Sequence, residues 1–210
     1  MLRVLIADDH AVVRRGLRQV LADESDIKVI GEAHNSQELL TLARRHPCDL
    51  IVLDISMPGR NGLDAIGELR KESPKTAVLV LSMYPEDQYA VQAFRAGASG
   101  YLTKESAPEE LVLAIRKVVR GGRYVSAALA EKLALDLSAN RNGALHESLS
   151  AREFQILCMI GSGKSVTGIA DELALSVKTI GTYRARILEK MEMRNNAELI
   201  RYTIQNRLVT

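Results

Sequence analysis

The chain is poor in the residues that build covalently or metal-stapled scaffolds. Its 210 residues include two cysteines, Cys48 and Cys158, neither in a spacing used for metal ligation. This excludes a cysteine framework and predicts two reduced, buried thiols of the kind a cytoplasmic protein carries. No apolar run approaches the roughly 18 residues of a membrane span. The opening MLRVLIADDH is interrupted by two aspartates before it reaches signal-peptide length. No membrane partner is therefore expected, and the expected location is cytoplasmic. Internal repeats and low-complexity tracts are missing as well. Net charge is only +2, but it is unevenly placed. The first 125 residues balance at 17 basic against 17 acidic side chains, whereas residues 148–210 carry 9 against 6. The positive excess is C-terminal, a mild pointer to a polyanionic partner.

One further absence removes an enzyme class. Gly161-Ser162-Gly163-Lys164-Ser165 has the look of a nucleotide-phosphate loop. That loop needs a glycine five positions before Gly163, after a strand. The residue there is Cys158, and the segment before it has helical periodicity. The simpler reading is a glycine-rich joint between helices with Lys164 in solvent.

What is present divides the chain in two. Five short runs, RVLIA (3–7), IKVIGEA (27–33), DLIVLD (49–54), TAVLVLS (76–82) and SGYLT (99–103), are apolar on both faces. That suits strands of a parallel sheet covered on both sides. Helical stripes lie between them: Val13, Leu17, Val20 and Leu21 form one, and Leu111, Ile115, Val118 and Val119 another. NSQE (35–38) and SAPE (106–109) read as capping boxes, and Pro47 ends a helix. The expectation is an α/β, flavodoxin-like, doubly wound five-stranded sheet over residues 1–122. Residues 123–147 read as a linker that opens with a short helix, AALAEKLAL, and then loses pattern. Residues 148–210 contain no strands. SARE (150–153) caps the first of four expected helices, and a short Leu-Ser joint between the second and third marks a helix-turn-helix.

In a doubly wound sheet, ligands bind beyond the carboxyl ends of the strands. Those ends deliver Asp8 and Asp9 (first), Asp54 (third), Ser82 (fourth), and Thr103 with Lys104 (fifth). Crowded carboxylates repel, and a hard divalent cation relieves them. The chemical expectation is an acidic Mg²⁺ site beside a nucleophilic carboxylate, Asp54, that becomes an aspartyl phosphate. Lys104 and Ser82 then meet phosphoryl oxygens. A single aspartate at a strand end is usually a helix cap. The same residue type at several strand ends makes that reading poor for the set. Met57-Pro58-Gly59 alone is a turn, and Tyr101 alone a half-buried strand aromatic.

ADDH, LIVLDISMPGRNGLDAI, LVLSMY and GASGYLTKES resemble a response-regulator receiver domain. LSAREFQIL and IADELALSVKTIGTYRARILEKM resemble a LuxR-type helix-turn-helix. Together the chain resembles the NarL/FixJ subfamily of two-component regulators over nearly its whole length. The resemblance implies Asp54 as phosphoacceptor and Asp9 as direct metal ligand. It implies Asp8 acting through water and the backbone carbonyl of Ser56 as a further ligand. Ser82 then matches the switch hydroxyl, Tyr101 the switch aromatic and Lys104 the phosphate-contacting lysine. It also implies a sensor histidine kinase as phosphodonor, double-stranded DNA as target and a homodimer, with RNA polymerase as a further partner. No catalytic turnover beyond the receiver's own phosphorylation and dephosphorylation is implied. Glu105 stands where many receivers have proline after the lysine, joined by a cis peptide. A cis bond without proline costs about 3 kcal/mol, which leaves that loop's geometry open.

On a helix beginning after Ser176, Val177, Ile180, Ile187, Leu188 and Met191 share a third of the circle and form a core stripe. Lys178, Thr182 and Arg186 lie opposite, flanked by Thr179 and Lys190. Arginine suits guanine edges and threonine the thymine methyl, while terminal lysines suit phosphate. Tyr183 is expected to pack or to touch the DNA backbone. The LuxR-type pattern often has lysine and histidine where Gly181 and Tyr183 stand, so the base-reading code departs from it. Ala197, Ile200 and Ile204 form a stripe on the last helix, read as core in preference to dimer seam. Two other functions compete: a phosphatase-like enzyme using the acidic rim, and a constitutive DNA binder whose receiver is vestigial.

Overall fold

The computed structural model describes residues 1–57, 62–84, 86–106, 108–127, 129–131, 144–206 and 208–209. The chain divides into two compact units, Met1–Ala134 and Leu135–Thr210.

The first unit alternates strands and helices: β1 Leu2–Ala7, α1 Ala11–Ala22, β2 Ile27–Ala33, α2 Ser36–Arg45, β3 Leu50–Leu53, α3 Gly62–Glu72, β4 Ala77–Ser82, α4 Glu86–Ala96, β5 Gly100–Thr103 and α5 Pro108–Val119. All strand pairings are parallel, in the order β2-β1-β3-β4-β5, the flavodoxin-like arrangement expected. Side chains alternate across a strand, so each strand feeds two cores. Val4, Ile6, Leu50, Val52, Leu79, Leu81 and Leu102 meet Leu17, Leu21, Leu111, Ile115 and Val118 from α1 and α5. Apolar residues on α2, α3 and α4 bury the other face. The central strands β3 and β4 are buried at every position, which is why their sequences show no polar alternation.

Local signals set the helix ends. Asn35 accepts the Glu38 N–H at 2.9 Å, and Glu38 reaches back to the N–H of His34, one residue before the cap. The box at 106–109 contains Ala107, which lies outside the described residues, but α5 does open on Pro108. Arg70 joins α3 to the start of β5: its guanidinium donates to Gly97 O, Thr76 O, Pro74 O and Ser99 Oγ.

The expected linker begins later than residue 123. Tyr124 pairs with Gly100 beside β5, the edge strand. Tyr101 N–H donates to Tyr124 O, and Tyr124 N–H to Ser99 O. Ser126 N–H donates to Glu86 Oε1 at 3.0 Å, and Leu129 is buried. A helix does begin at Ala127 and includes residues 129–131, while 132–143 lie outside the described residues. The linker also ends earlier than residue 147. Leu145–Ser148 forms a 3-10 turn whose His146 Nδ1 lies 2.9 Å from the hydroxyl of Tyr202.

The second unit is helical: α6 Ala151–Gly161, α7 Val166–Glu172, α8 Val177–Lys190 and α9 Asn196–Gln205. Ser150 and Glu153 form a complete reciprocal capping box on α6. Helix α7 stops two residues before its expected end, and Ala174 turns the chain with φ of 51°. Ile180 and Ile187 of α8 and Met191 at its C-cap are buried as expected, but Leu188 is half-buried and Val177 is 51% exposed. It is the first residue of the helix, and the core does not extend beneath that turn. On α9 the stripe expected in the core faces outward: Ala197 and Ile204 are exposed and Ile200 is half-buried, because Leu199 and Thr203 fill the core positions. Cys48 and Cys158 are free and buried, as expected.

The glycines of the false phosphate loop are explained by packing. A Cβ on Gly161 would lie 2.4 Å from Thr203 Oγ1, so this glycine lets α9 lie close on α6. Gly163 has φ of +80°, in the left-handed region that glycine tolerates. Lys164 pairs with Glu172. Gly161→Val should therefore destabilise the helical unit by at least about 2 kcal/mol through overpacking. Urea unfolding followed by helical signal measures this, and adding Thr203→Ala should recover part of the loss.

Candidate functional site

Strands β1, β3 and β5 end at the same edge of the parallel sheet, and the residue after each is polar. Asp54 N–H donates to Ala7 O at 2.8 Å, and Asp8 N–H to Ala33 O at 3.1 Å, so pairing runs one residue past the strands and fixes both aspartates. Lys104 N–H donates to Ser82 O at 2.8 Å in the same way. Sheet register thus brings together side chains far apart in sequence.

Asp8 and Asp54 are buried, at 2% and 1% exposure. Lys104 Nζ bridges them, 2.7 Å from Asp8 Oδ2 and 2.6 Å from Asp54 Oδ2. The second oxygen of each carboxylate accepts a backbone N–H two residues on: His10 N–H for Asp8 and Ser56 N–H for Asp54, both at 2.8 Å. Burial is the largest influence on the Lys104 ammonium and pushes its pKa down. Its hydrogen bonds to Asp54 and Asp8 and their charges together outweigh burial and hold it above the usual lysine value. The lysine is thus a fixed cation. Asp9, Asp8, Asp54 and His10 each present a ligand atom, all within 4.8 Å of one another. Three carboxylates facing one ammonium leave negative charge over, and Asp9 Oδ1 is buried with no hydrogen-bond partner. Both features fit a divalent cation held by oxygen ligands.

Ser82 is fully buried behind this cluster, and its Oγ accepts the Tyr84 N–H at 3.2 Å. Tyr101 is fully buried too, and its hydroxyl donates to Tyr84 O at 2.9 Å. Burial, the leading cause, pushes its phenol well above the ordinary tyrosine range. Its full burial sets it apart from the half-buried strand aromatic that this residue, taken alone, would suggest. The peptide after Lys104 is trans, there being no cis bond among the described residues. Of the turn at Met57-Pro58-Gly59, only Met57 lies within the described residues.

Two site residues were not singled out from sequence. His10 directly follows the aspartates, so adjacency was the available signal. Gly62 packs against the Asp54 loop: a Cβ there would meet Ile55 Cα at 2.6 Å and Asp54 O at 2.9 Å. Only the tertiary approach reveals that role.

In the second unit, Lys178, Thr179, Thr182, Tyr183 and Arg186 line one shallow groove of about 320 Å³ on α8. Lys178, Thr182 and Arg186 are exposed. Lys190 is not part of this set. Its ammonium lies 2.6 Å from Glu153 Oε2, tying the end of α8 to the capping box of α6. A Cβ on Gly181 would meet nothing within 4 Å, so this glycine serves no close approach inside the protein.

Residues 4–116 match the family of the response regulator receiver domain, and 147–203 that of bacterial regulatory proteins, luxR family. The chain is a response regulator. It is 39% identical to the response regulator GacA of Pseudomonas aeruginosa over 210 residues, spanning 100% of this chain and 98% of that protein. UvrY of Escherichia coli K12 is 36% identical over 209 residues, spanning 99% and 96%. Among solved structures, RcsB from Salmonella enterica serovar Typhimurium, bound to promoter rprA with the phosphomimetic BeF3-, superposes with a TM-score of 0.65. That match covers 96% of this chain and 97% of the other, at 26% identity. A LuxR-family regulator from Aurantimonas sp. SI85-9A1 matches 66% of this chain and 99% of its own, with 34% identity and a TM-score of 0.62. This response regulator is accordingly a transcription regulator of the two-component class, with a receiver domain and a LuxR-type DNA-binding domain. Among the described residues, no helix is long and apolar enough to cross a membrane.

The Glu153–Lys190 tie gives a pH signature. Burial, the largest influence on Glu153, pushes its pKa up. Hydrogen bonds from Lys190 and Ser150 outweigh this and leave it below the ordinary value. A depressed carboxylate contributes stability above its unfolded pKa of about 4.3, lost as pH falls through the folded value. Lys190→Met should cost the helical unit about 1–3 kcal/mol at neutral pH, less than a fully buried pair because Lys190 is partly exposed. It should also flatten the loss of stability below about pH 4.5, as measured by thermal unfolding across pH.

Proposed function

We propose that Asp54 accepts a phosphoryl group from a sensor histidine kinase. The buried Asp8–Lys104–Asp54 bridge carries this reading. A carboxylate oxygen of Asp54 attacks phosphorus, the bond from phosphorus to the donor's imidazole nitrogen breaks, and the imidazole leaves with the electron pair. Lys104 is already placed to meet the added charge on the phosphoryl oxygens, and Ser82 offers a hydroxyl behind it. Asp9, Asp54 and the backbone carbonyl of Ser56 would hold Mg²⁺, with Asp8 acting through water. The ion would neutralise charge on the transferring group. The receiver assists its own phosphorylation and dephosphorylation and has no separate substrate.

The phosphoryl group competes for Ser82 and Lys104 and so disturbs the contacts that Tyr84 and Tyr101 make around β4 and β5. A two-state surface biased by one modification is what a switch requires. In the second unit, the α8 groove supplies double-stranded DNA contacts through Lys178, Thr179, Thr182, Tyr183 and Arg186. The outward α9 stripe of Ala197, Ile200 and Ile204 supports a homodimer reading two half-sites. RNA polymerase is a further partner of a promoter-bound dimer.

With acetyl phosphate and Mg²⁺, mass spectrometry should find one phosphoryl group per chain, on the peptide containing Asp54. Asp54→Asn should block it. DNA affinity should rise at least about fivefold for the phosphorylated wild type, within the usual range of coupling between two sites. Equal stimulation of Asp54→Asn would overturn the proposal, and turnover of a generic phosphoester would favour an enzyme instead.

Gly181 offers an independent check on the DNA face. Gly181→Ala should stabilise the helical unit by up to about 1 kcal/mol from helix propensity. The added methyl meets no protein atom, so a fall in DNA affinity would place the duplex against this backbone. Unchanged affinity removes Gly181 from the interface.

A further inference from the structure

We infer that His10 is a ligand of the cation pocket, which is therefore a mixed nitrogen–oxygen site with elevated affinity for borderline divalent ions such as Co²⁺ and Zn²⁺. The inference rests on the phosphoacceptor reading only in taking the acidic rim to be a cation site.

His10 Nδ1 lies 2.9 Å from Asp9 Oδ1 and 3.3 Å from Asp8 Oδ1. Asp9 Oδ1 nevertheless has no hydrogen-bond partner. The ring nitrogen and the oxygen are close without the alignment of a hydrogen bond. Two donor atoms facing a shared point is the arrangement a metal resolves. With bonds of about 2.1 Å, neighbouring ligands of an octahedral ion stand about 3 Å apart and opposite ones about 4.2 Å. The first value matches the His10–Asp9 separation.

The ring has no competing task in the fold. His10 is the N-cap residue of α1, yet its side chain makes no capping hydrogen bond. It is 62% exposed, so it can turn with little cost to packing. The pocket's two nitrogen-bearing neighbours also divide its carboxylates. Lys104 holds Asp8 and Asp54, while the imidazole stands beside Asp8 and Asp9. The Asp9 side is therefore where an ion can add a ligand without displacing the lysine.

Imidazole suits Co²⁺ and Zn²⁺, whereas Mg²⁺ favours carboxylate, carbonyl and water. Any oxygen site also ranks Co²⁺ above Mg²⁺, so preference in the wild type decides nothing. The informative quantity is how removing the imidazole changes each affinity. Full-length protein should be titrated with Co²⁺, followed by its d–d absorption, and with Mg²⁺ by calorimetry, for wild type, His10→Gln and His10→Asn. Asparagine is itself a good N-cap, so both variants failing for structural reasons is avoided. The expected result is a loss of at least about tenfold in Co²⁺ affinity in both variants, with Mg²⁺ affinity within about threefold of wild type. The d–d band should also change position, because nitrogen ligation is lost. Unchanged Co²⁺ binding, or equal losses for both ions, would overturn the inference while leaving the phosphoacceptor reading intact. Failure of the wild type to bind Mg²⁺ at all would sink both.

Discussion

A lysine ammonium clamped between two buried carboxylates organises the receiver. It supplies the partner that two facing carboxyl groups out of water require. Its chain position, just past β5, requires β5 to end level with β1 and β3. The parallel register, the order β2-β1-β3-β4-β5 and the backbone bonds that overrun each strand by one residue all meet that requirement. Removing the clamp would leave two buried carboxyl groups facing each other with no cation between them. Fold and chemistry thus depend on the same contacts.

The helical unit is arranged around a similar economy. Glu153 caps its own helix and also receives Lys190 from α8. Helix α8 is therefore anchored at its C-terminal end by charge and along its length by Ile180, Ile187 and Met191. The groove side exposes Lys178, Thr182 and Arg186. That separation of a packed back from an unburdened front lets the front be chosen by its target.

Much of this was legible in the chain itself. Strand runs apolar on both faces gave the sheet, because doubly covered strands cannot alternate. Strand ends then located Asp8, Asp54, Ser82 and Lys104, since loops at those ends must converge. The errors share a different cause. Val177 and the α9 stripe were placed by angle around an isolated helix, and a helical wheel does not say where a neighbouring helix stops. Lys190 was drawn to Glu153, a partner 37 residues away. Val177 lies beyond the edge of the core, and α9 presents Leu199 and Thr203 inward. Tyr101 was read without its acceptor, a backbone carbonyl 17 residues upstream. The role of Gly62 depends on an approach between loops that no local pattern encodes.

The pairing of Tyr124 alongside β5 has a consequence for how the molecule can be taken apart. Edge strands expose unsatisfied donors and acceptors that invite association. Here the segment after α5 covers part of that edge, with Ser126 fastened to Glu86. A fragment severed at Gly122 would bare the flank of the strand that carries Tyr101, and would gain a sticky margin the intact polypeptide never shows. The receiver unit accordingly includes Tyr124, Ser126 and Leu129, and so extends into what sequence alone would have labelled tether.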